Sequence, residues 1–297
     1  MSGMLVFVHA LSPLHIGSGA SLNDLDLPVW RDRRTGWPRI AGTSLKGALR
    51  ASTRASSQPW WQAAFGSDGA ESAVADLSVG DGALLSLPVR AAQGWWVWLV
   101  CPESLGRFFR DAERAGVSCT DAGVSPMRGP GDDEAWVAAG VAGVGPRRDV
   151  CVFEESAFRR VECPQVSKLA TWLAARFTGH EATRRLFEAG LAMVSDTAFT
   201  HFAHAATVSV TRNALDYETK TVKPHLLFRE EFVLPETVFV SPVTCSARGR
   251  RRASTALADF KGFLRRTEEH GPRELRTLQL GGGESTGYGL CALAVGA

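Results

Sequence analysis

The sequence predicts an α+β fold of ferredoxin-like character. The first reason is that strand and helix patterns alternate along the chain; the second is that 45% of its 297 residues are hydrophobic, which suffices for a large core. In the first half, residues 5–11 predict a strand, residues 43–55 a helix and residues 83–89 with 95–101 a hairpin. A further helix begins at Pro102 and ends near Gly116. This β-α-β-β-α order is typical of ferredoxin-like units.

The second half continues the alternation after an insertion. Residues 117–165 are rich in Gly, Pro and Asp and have weak periodicity, so we interpret them as a loop-rich insertion within a single domain spanning residues 1–297. Helical patterns follow at residues 165–177, 181–189 and 197–206. Alternating residues on both sides of a turn-rich tip predict a protruding β-hairpin over residues 207–235. The remaining segments are predicted as a strand (237–244), a helix (254–269) and two strands (274–280 and 290–295).

Composition excludes several classes of function. The formal net charge is only +2, so nucleic acid would have to be bound by local basic patches and not by overall charge. No apolar run approaches the ~20 residues that span a bilayer, and no apolar leader precedes the first strand, so we expect no membrane association. The six cysteines contain no C-x-x-C pair, which favours reduced thiols and a cytoplasmic protein.

A predicted helix start carries the features of a phosphate site. Gly42 interrupts the preceding extended segment, and Thr43 or Ser44 can cap the helix. The free N–H groups and the positive end of the helix dipole favour an anion by about 0.3–1 kcal/mol. Lys46 adds a full charge and shares a helix face with Arg50. The motif therefore indicates phosphate binding by Ser44, Lys46 and Arg50; a capped surface helix with solvated cations is the alternative.

A glycine-rich loop near the end of the chain is the second candidate. Residues 281–289 read G-G-G-E-S-T-G-Y-G, five glycines in nine residues. The loop nearly matches a nucleotide-binding P-loop, but Tyr288 stands where that motif requires Lys and a strand follows, so ATP binding is disfavoured. Main-chain N–H groups at Gly281, Gly282, Gly283 and Thr286 are candidates for phosphate contact. A plain wide hairpin loop is the alternative.

Several segments together resemble one protein family. They are L-H-I-G-S-G, D-L-P-V-W-R-D, T-G-W-P and G-T-S-L-K-G-A-L-R near the start, L-P-V-R and W-V-W-L-V-C-P further on, S-D-T-A-F-T-H-F, and L-Q-L-G-G-G-E-S-T-G-Y-G near the end. In this order they are similar, over nearly the whole chain, to the repeat-associated RAMP superfamily, and they resemble its backbone RNase subunits of type III-B CRISPR effectors. The L-P-V-R and S-D-x-x-F-T-H-F segments favour that branch over the related III-A backbone subunit.

The resemblance implies a ribonucleoprotein architecture. It implies a RAMP palm built on an RNA-recognition-like core, a thumb formed by the hairpin over residues 207–235, and a filament of identical subunits along a CRISPR guide RNA. Each thumb would kink the guide, leaving one cleavage site per subunit on the complementary target RNA. Ser44, Lys46, Arg50 and the glycine loop would hold guide phosphates, and Phe228 would contact RNA from the thumb. Other Cmr complex subunits are further implied partners.

The resemblance also places the catalytic aspartate in the D-L-P segment, at Asp26. The family's cut depends on a divalent metal ion, here expected to be magnesium, and uses the ribose 2′-OH as nucleophile. Asp26 could coordinate that ion or accept the 2′-OH proton, and His15 could assist as an acid–base partner. A structural hydrogen bond at a strand end is the alternative for His15, and Asp24 could replace Asp26 if the loop register differs.

Two other functions remain open from the sequence. One is a non-catalytic RNA-binding scaffold of the same superfamily, in which the Asp26 loop serves only packing. The other is a stand-alone RNase that processes CRISPR precursor RNA through a histidine, for which His15 is the candidate.

Overall fold

The computed structural model describes residues 3–19, 25–55, 57–67, 74–119, 128–143, 148–205, 207–245, 250–265 and 276–296. Within these ranges, twelve strands form one mixed sheet and two more form a separate antiparallel hairpin. Helices pack on both faces of the large sheet. No helix in the described ranges is long and apolar enough to cross a membrane.

The elements are as follows. The strands are β1 (Gly3–Ala10), β2 (Arg39–Ile40), β3 (Leu77–Val79), β4 (Gly82–Arg90), β5 (Trp96–Val100), β6 (Glu134–Val137), β7 (Val150–Phe153), β8 (Ser156–Glu162), β9 (Leu191–Met193), β10 (Thr207–Leu215), β11 (Val222–Val233), β12 (Val238–Cys245), β13 (Arg276–Gln279) and β14 (Leu290–Gly296). The helices are α1 (Gly42–Ala55), α2 (Trp61–Phe65), α3 (Pro102–Ala115), α4 (Pro164–Phe177), α5 (Glu181–Gly190), α6 (Asp196–Ala205) and α7 (Arg250–Arg265). A 3₁₀ turn occupies Glu284–Thr286.

The large sheet interleaves the two halves of the chain. Its order is β13-β14-β1-β12-β4-β5-β9-β6-β8-β7, with β2 added beside β4 and β3 beside β12. The first strand, β1, pairs antiparallel with β12 on one side and with β14 on the other. A strand from the beginning of the chain is therefore enclosed by two strands from its end, and the sheet cannot be divided at mid-chain.

Alternate residues of β1 pack into two different cores, as the strand pleat requires. Met4, Val6 and Val8 belong to the core that includes residues of α1, α2, α6 and α7. Leu5 and Phe7 belong to the core that includes residues of α3, α4 and α5. Because both faces are buried, β1 is a continuous apolar run and not an alternating one.

The predicted combination of helices and strands is confirmed. The bounds of α1, α3 and the β4–β5 hairpin agree with the sequence patterns to within one residue. The segment predicted to be loop-rich, residues 117–165, contributes β6, β7 and β8 to the end of the large sheet. The pattern does not reveal these strands because they are short and lie among segments rich in Gly and Pro.

The β10–β11 hairpin forms its own two-stranded sheet. Its register runs from Thr207 opposite Val233 to Asn213 opposite Leu227, and then shifts at an irregularity before the tip. At the tip, Asp216 accepts hydrogen bonds from the N–H groups of the residues two and three positions later, at 3.0 and 2.9 Å. Main-chain N–H groups aimed at its carboxylate lower the pKa of Asp216. Local polar contacts thus close the tip of the hairpin.

Asp32 fixes the loop that leads into β2. Its Oδ1 accepts hydrogen bonds from the N–H groups of Arg34, at 2.9 Å, and Thr35, at 3.1 Å, while Oδ2 lies 3.6 Å from Nη1 of both Arg39 and Arg107. Partial burial alone would raise the pKa of Asp32. The two hydrogen bonds and the two guanidinium groups outweigh burial, so the pKa is lower than its ordinary value.

We predict that Asp32→Asn makes the free energy of unfolding less dependent on pH in the acid range. A carboxyl group whose pKa is lowered in the folded state contributes stability above its unfolded pKa and loses it as pH falls through the folded pKa. The free energy of unfolding of the wild type should therefore fall more steeply than that of the variant below about pH 4, and the variant should be less stable at neutral pH. Urea unfolding at a series of pH values measures both; parallel curves would contradict the role of Asp32.

Candidate nucleic-acid interface

The edge of β11 that faces away from β10 holds two segments from the N-terminal part of the chain. Leu14 and Val233 exchange both main-chain hydrogen bonds, at 3.0 and 2.9 Å. Further towards the tip, the N–H group of Leu27 donates to the carbonyl of Arg229 at 3.1 Å, and its carbonyl accepts from Glu231 at 3.0 Å. Alternate residues of a strand direct their main-chain groups to the same edge. One strand edge therefore positions both segments.

The two predicted catalytic side chains are attached to this same edge. Oδ2 of Asp26 accepts a hydrogen bond from the N–H group of Arg229 at 2.8 Å. Nδ1 of His15 lies 2.7 Å from the carbonyl oxygen of Glu231. Arg229 and Glu231 are two residues apart in a strand, so their Cα atoms are separated by about 7 Å. The structure thus brings Asp26 and His15 into one region.

Asp26 and His15 differ in their exposure. Asp26 is exposed, so its carboxylate is accessible to a bound molecule. His15 is only 8% exposed, and its ring packs edge-on against Phe232 at 5.8 Å between centroids. A carbonyl oxygen only accepts, so Nδ1 carries the proton in the bond to Glu231, and Nε2 is the ring nitrogen left for chemistry. His15 therefore makes the structural hydrogen bond of the alternative interpretation, and Nε2 is the ring nitrogen that the Glu231 carbonyl does not bind.

Two adjacent buried carboxylates lie beneath these segments, and each is paired with an arginine. Nη2 of Arg31 lies 2.5 Å from Oε1 of Glu231, whose other oxygen accepts the N–H group of Val29 at 2.8 Å. On the other face of β11, Nε of Arg212 lies 2.8 Å from Oε2 of Glu230. Breaking a buried pair by removing one partner typically costs about 3–5 kcal/mol. These pairs hold residues 29–31 and β10 against β11, and so fix the frame of the site.

The glycine loop folds against the Leu14–His15 segment. The N–H group of Gly282 donates to the carbonyl of His15 at 3.1 Å, and that of Gly289 donates to Pro13 at 2.9 Å. Gly281 has φ +78°, and a Cβ added there would lie 2.0 Å from the carbonyl oxygen of His15. Both the backbone conformation and the close approach require glycine at this position.

The loop uses several of its N–H groups internally. The N–H and hydroxyl groups of Thr286 both lie within hydrogen-bond distance of the Gly283 carbonyl, at 3.0 and 2.8 Å. Gly282 is bound to His15 as described above. Among the predicted phosphate contacts in this loop, the main-chain N–H groups of Gly281 and Gly283 are the ones that no hydrogen bond within the described residues occupies.

The first turn of α1 is partly occupied by a carboxylate. Oδ1 of Asp81 accepts the N–H group of Gly42 at 2.7 Å, so an anion at this helix start would meet a like charge. Ser44 is exposed, and Lys46 and Arg50 are half-buried further along the helix. A phosphate would therefore bind more favourably along the flank of α1, beside Lys46 and Arg50, than at the N–H groups of its first turn.

The remaining candidate residues lie as follows. Phe228 is half-buried in β11, opposite Arg212 in the hairpin register. Asp24, the alternative carboxylate, lies outside the described residues. The structural role of Arg212 was missed by sequence reasoning, because its partner Glu230 comes from the other strand of the hairpin and no local motif links them.

The described residues contain no group of three or more His, Cys, Asp and Glu side chains able to hold a metal ion. Asp26 supplies a single exposed carboxylate. Magnesium usually keeps several water ligands and is bound through one or two carboxylates together with substrate phosphates. Asp26 therefore fits an ion shared with a phosphodiester and not one enclosed by protein ligands.

Comparison with known families decides the identity of the fold. The family model described as the RAMP superfamily matches residues 7–292. The chain belongs to the RAMP superfamily. This confirms the family membership that the sequence motifs imply, and the match runs from the second half of β1 to the first part of β14.

Individual relatives match over nearly the full length. The chain is 27% identical over 302 residues to the CRISPR system Cmr endoribonuclease Cmr4 of Pyrococcus furiosus, covering 97% of this chain and 94% of the relative. A crystal structure of oligomeric Cmr4 from Pyrococcus furiosus has a TM-score of 0.75 at 23% identity and covers 99% and 98% of the two chains. A cryo-EM structure of the type III-B Cmr-beta complex bound to cognate target RNA contains a chain with a TM-score of 0.73 at 20% identity, covering 99% and 97%. This chain shares the fold of both structures.

We predict that Gly281→Ala destabilises the protein and that Gly47→Ala does not. Alanine at Gly281 would be strained by the positive φ and would collide with His15, which should cost more than about 1 kcal/mol. Gly47 lies inside α1 with no atom within 4 Å of an added Cβ, so alanine there should stabilise the helix by about 0.5–1 kcal/mol. Thermal unfolding of the two variants measures the contrast; equal melting temperatures would contradict the described loop.

Proposed function

We propose that this chain is a backbone subunit of a type III-B CRISPR ribonucleoprotein, which binds guide RNA in a filament and cleaves complementary target RNA at regular intervals. The observation that carries the proposal is the exposed carboxylate of Asp26, fixed on the same strand edge as His15. The near full-length similarity to a protein named Cmr endoribonuclease Cmr4 supports it. Its partners would be guide RNA, target RNA, further copies of itself and other Cmr subunits.

The cleavage chemistry requires little from the protein. RNA carries its own nucleophile, so the subunit has to align a ribose 2′-oxygen with the scissile phosphate and manage one proton. Asp26 accepts the 2′-OH proton as the bond from the 2′-oxygen to phosphorus forms. The bond from phosphorus to the 5′-oxygen then breaks, leaving a cyclic phosphate and a 5′-hydroxyl. Nε2 of His15, when protonated, or a water molecule returns a proton to the leaving oxygen.

In its alternative role, Asp26 would instead hold a divalent ion, which we propose is magnesium, together with phosphate oxygens, and the ion would supply positive charge to the transition state. The protein's own contribution is positional. The hydrogen bond from the Arg229 N–H group keeps the Asp26 carboxylate at the strand edge. The two main-chain hydrogen bonds of Leu27, with Arg229 and Glu231, prevent the segment that contains Asp26 from slipping along β11.

The β10–β11 hairpin would act as the thumb. It presents apolar and aromatic side chains: Tyr217 at the tip is 88% exposed, Leu227 is 62% exposed, and Phe228, the next residue of β11, is half-buried. Stacking of a base on such side chains contributes about 1–3 kcal/mol without reading sequence. Lys46, Arg50 and the N–H groups of Gly281 and Gly283 would contact guide phosphates, and sequence choice would come from base pairing with the guide.

We predict that Asp26→Asn lowers target cleavage by about 100-fold or more while guide binding is unchanged. The carboxamide keeps an oxygen for the bond from Arg229 but cannot accept the 2′-OH proton. The measurement is cleavage of a labelled complementary RNA by the assembled complex, with copurified guide quantified in parallel. Asp132→Asn, at an exposed carboxylate of another loop, is the matched control. Wild-type cleavage by the Asp26 variant would favour the non-catalytic scaffold.

A second prediction separates the two roles of His15. His15→Asn retains a donor near the position of Nδ1 for the Glu231 carbonyl but lacks Nε2, whereas His15→Ala loses both. If Nε2 takes part in the reaction, the asparagine variant should melt near the wild-type temperature yet cleave target RNA about 10-fold or more slowly. Melting curves and single-turnover cleavage measure the two effects. Normal cleavage by the asparagine variant would leave His15 a structural residue only and would count against an RNase that works through this histidine.

A further inference from the structure

One flank of α1 carries a row of three cations. Lys46, Arg50 and Arg54 follow one another at four-residue spacing, about 6 Å along the helix. Each comes directly after a buried residue of the helix, namely Leu45, Leu49 and Thr53. The three cations therefore lie side by side along the border between the buried face and solvent, with Arg54 the most exposed of them.

The segment that contains the row has no acidic residue in its sequence. Residues 33–67, which include all of α1 and α2, contain neither Asp nor Glu. A helix face that is merely solvated commonly pairs opposite charges at i and i+4, which stabilises the helix. Here both i, i+4 pairs, Lys46–Arg50 and Arg50–Arg54, bring two positive charges together, and such pairs destabilise a helix. Charge pairing within α1 therefore does not account for the row.

Two of the cations lie against one aromatic ring. The guanidinium carbons of Arg50 and Arg54 are 5.2 and 5.6 Å from the ring centroid of Trp61, the first residue of α2. The short helix that carries Trp61 is anchored by Phe65, whose ring packs edge-on against Phe260 of α7 at 5.4 Å. The core therefore holds the indole in place, and the indole holds the two arginine side chains.

We propose that Arg54 extends by one further phosphate the single-stranded RNA path already expected of Lys46 and Arg50, and that Trp61 is a positioning residue that orders the guanidinium groups of Arg50 and Arg54. This rests on the proposed function and adds two residues, Arg54 and Trp61, to the RNA path expected from the sequence. An arginine side chain loses much rotamer freedom when it grips a phosphate. Stacking on Trp61 orders the side chains before RNA binds, so less of that entropy is lost on binding.

The test uses the full chain and a fluorescein-labelled oligouridylate, with affinity measured by anisotropy over a series of salt concentrations. Each phosphate contact to a single strand contributes about 0.7 to the slope of log affinity against log salt. Arg54→Gln should therefore reduce the slope by about 0.7, whereas Arg54→Lys should leave it unchanged. Arg114→Gln is the matched control, because Arg114 is an exposed arginine of α3, on the opposite face of the sheet.

Trp61→Leu separates positioning from charge. This variant keeps all three cations, so the slope should equal that of the wild type, while the affinity at every salt concentration should fall by about threefold or more. If its melting temperature shows that α2 is disturbed, Trp61→Phe, which keeps a ring with a weaker attraction for cations, gives the same comparison. A changed slope, or an unchanged affinity, would overturn the positioning role.

The outcomes distinguish this inference from the proposed function. If the wild-type chain binds the oligouridylate and Arg54→Gln has the same slope as the wild type, the row is not a phosphate path, although RNA binding stands. If the wild type does not bind the RNA at all, the proposed function fails together with the inference. Equal losses of slope in Arg54→Gln and Arg114→Gln would assign the effect to general charge and overturn the specific path.

Discussion

The candidate site depends on main-chain pairing along one edge of β11, the edge that faces away from β10. Along one stretch of strand, the main-chain groups of Arg229, Glu231 and Val233 bind the segments that contain Asp26 and His15. Register in a strand moves in steps of one residue, and a slip by one would turn these groups away from the edge. The relative placement of two candidate catalytic side chains from a distant part of the chain is therefore determined by backbone pairing and does not rest on a flexible loop.

The surrounding residues protect this edge from rearrangement. The buried Glu230 and Glu231 would be costly in isolation, and each is neutralised by an arginine that reaches from a different element, Arg212 from β10 and Arg31 from the loop before β2. The glycine loop closes the other side by binding the carbonyl of His15. The described structure therefore gives Gly281 of that loop a structural reason to be glycine that is independent of any phosphate.

The features that could be predicted from the sequence are those that depend on interactions between residues close together in the chain. Helix α1 and the β4–β5 hairpin are encoded by local periodicity and turn residues, and their bounds match the patterns closely. The family motifs gave the candidate site, including Asp26. The Arg31–Glu231 pair, the occupation of the α1 start by Asp81 and the packing of Gly281 on His15 join residues far apart in sequence, and no local pattern contains that information. The strands β6 to β8 were missed for a related reason, since each is stabilised by its neighbours in the sheet.

The residues proposed for guide binding and for cleavage lie on different elements of the fold. The cationic row lies on the flank of α1, a helix that packs on β3, β13 and α2, whereas Asp26 lies on the edge of β11. A guide strand held by phosphate contacts needs many weak, salt-sensitive interactions, and a cut needs one well-placed carboxylate. Under the proposed function, this separation would allow the guide to remain bound while a target strand is cut and released. The subunit would then turn over target RNA without dissociating from its guide, because the side chains proposed for the two tasks are different.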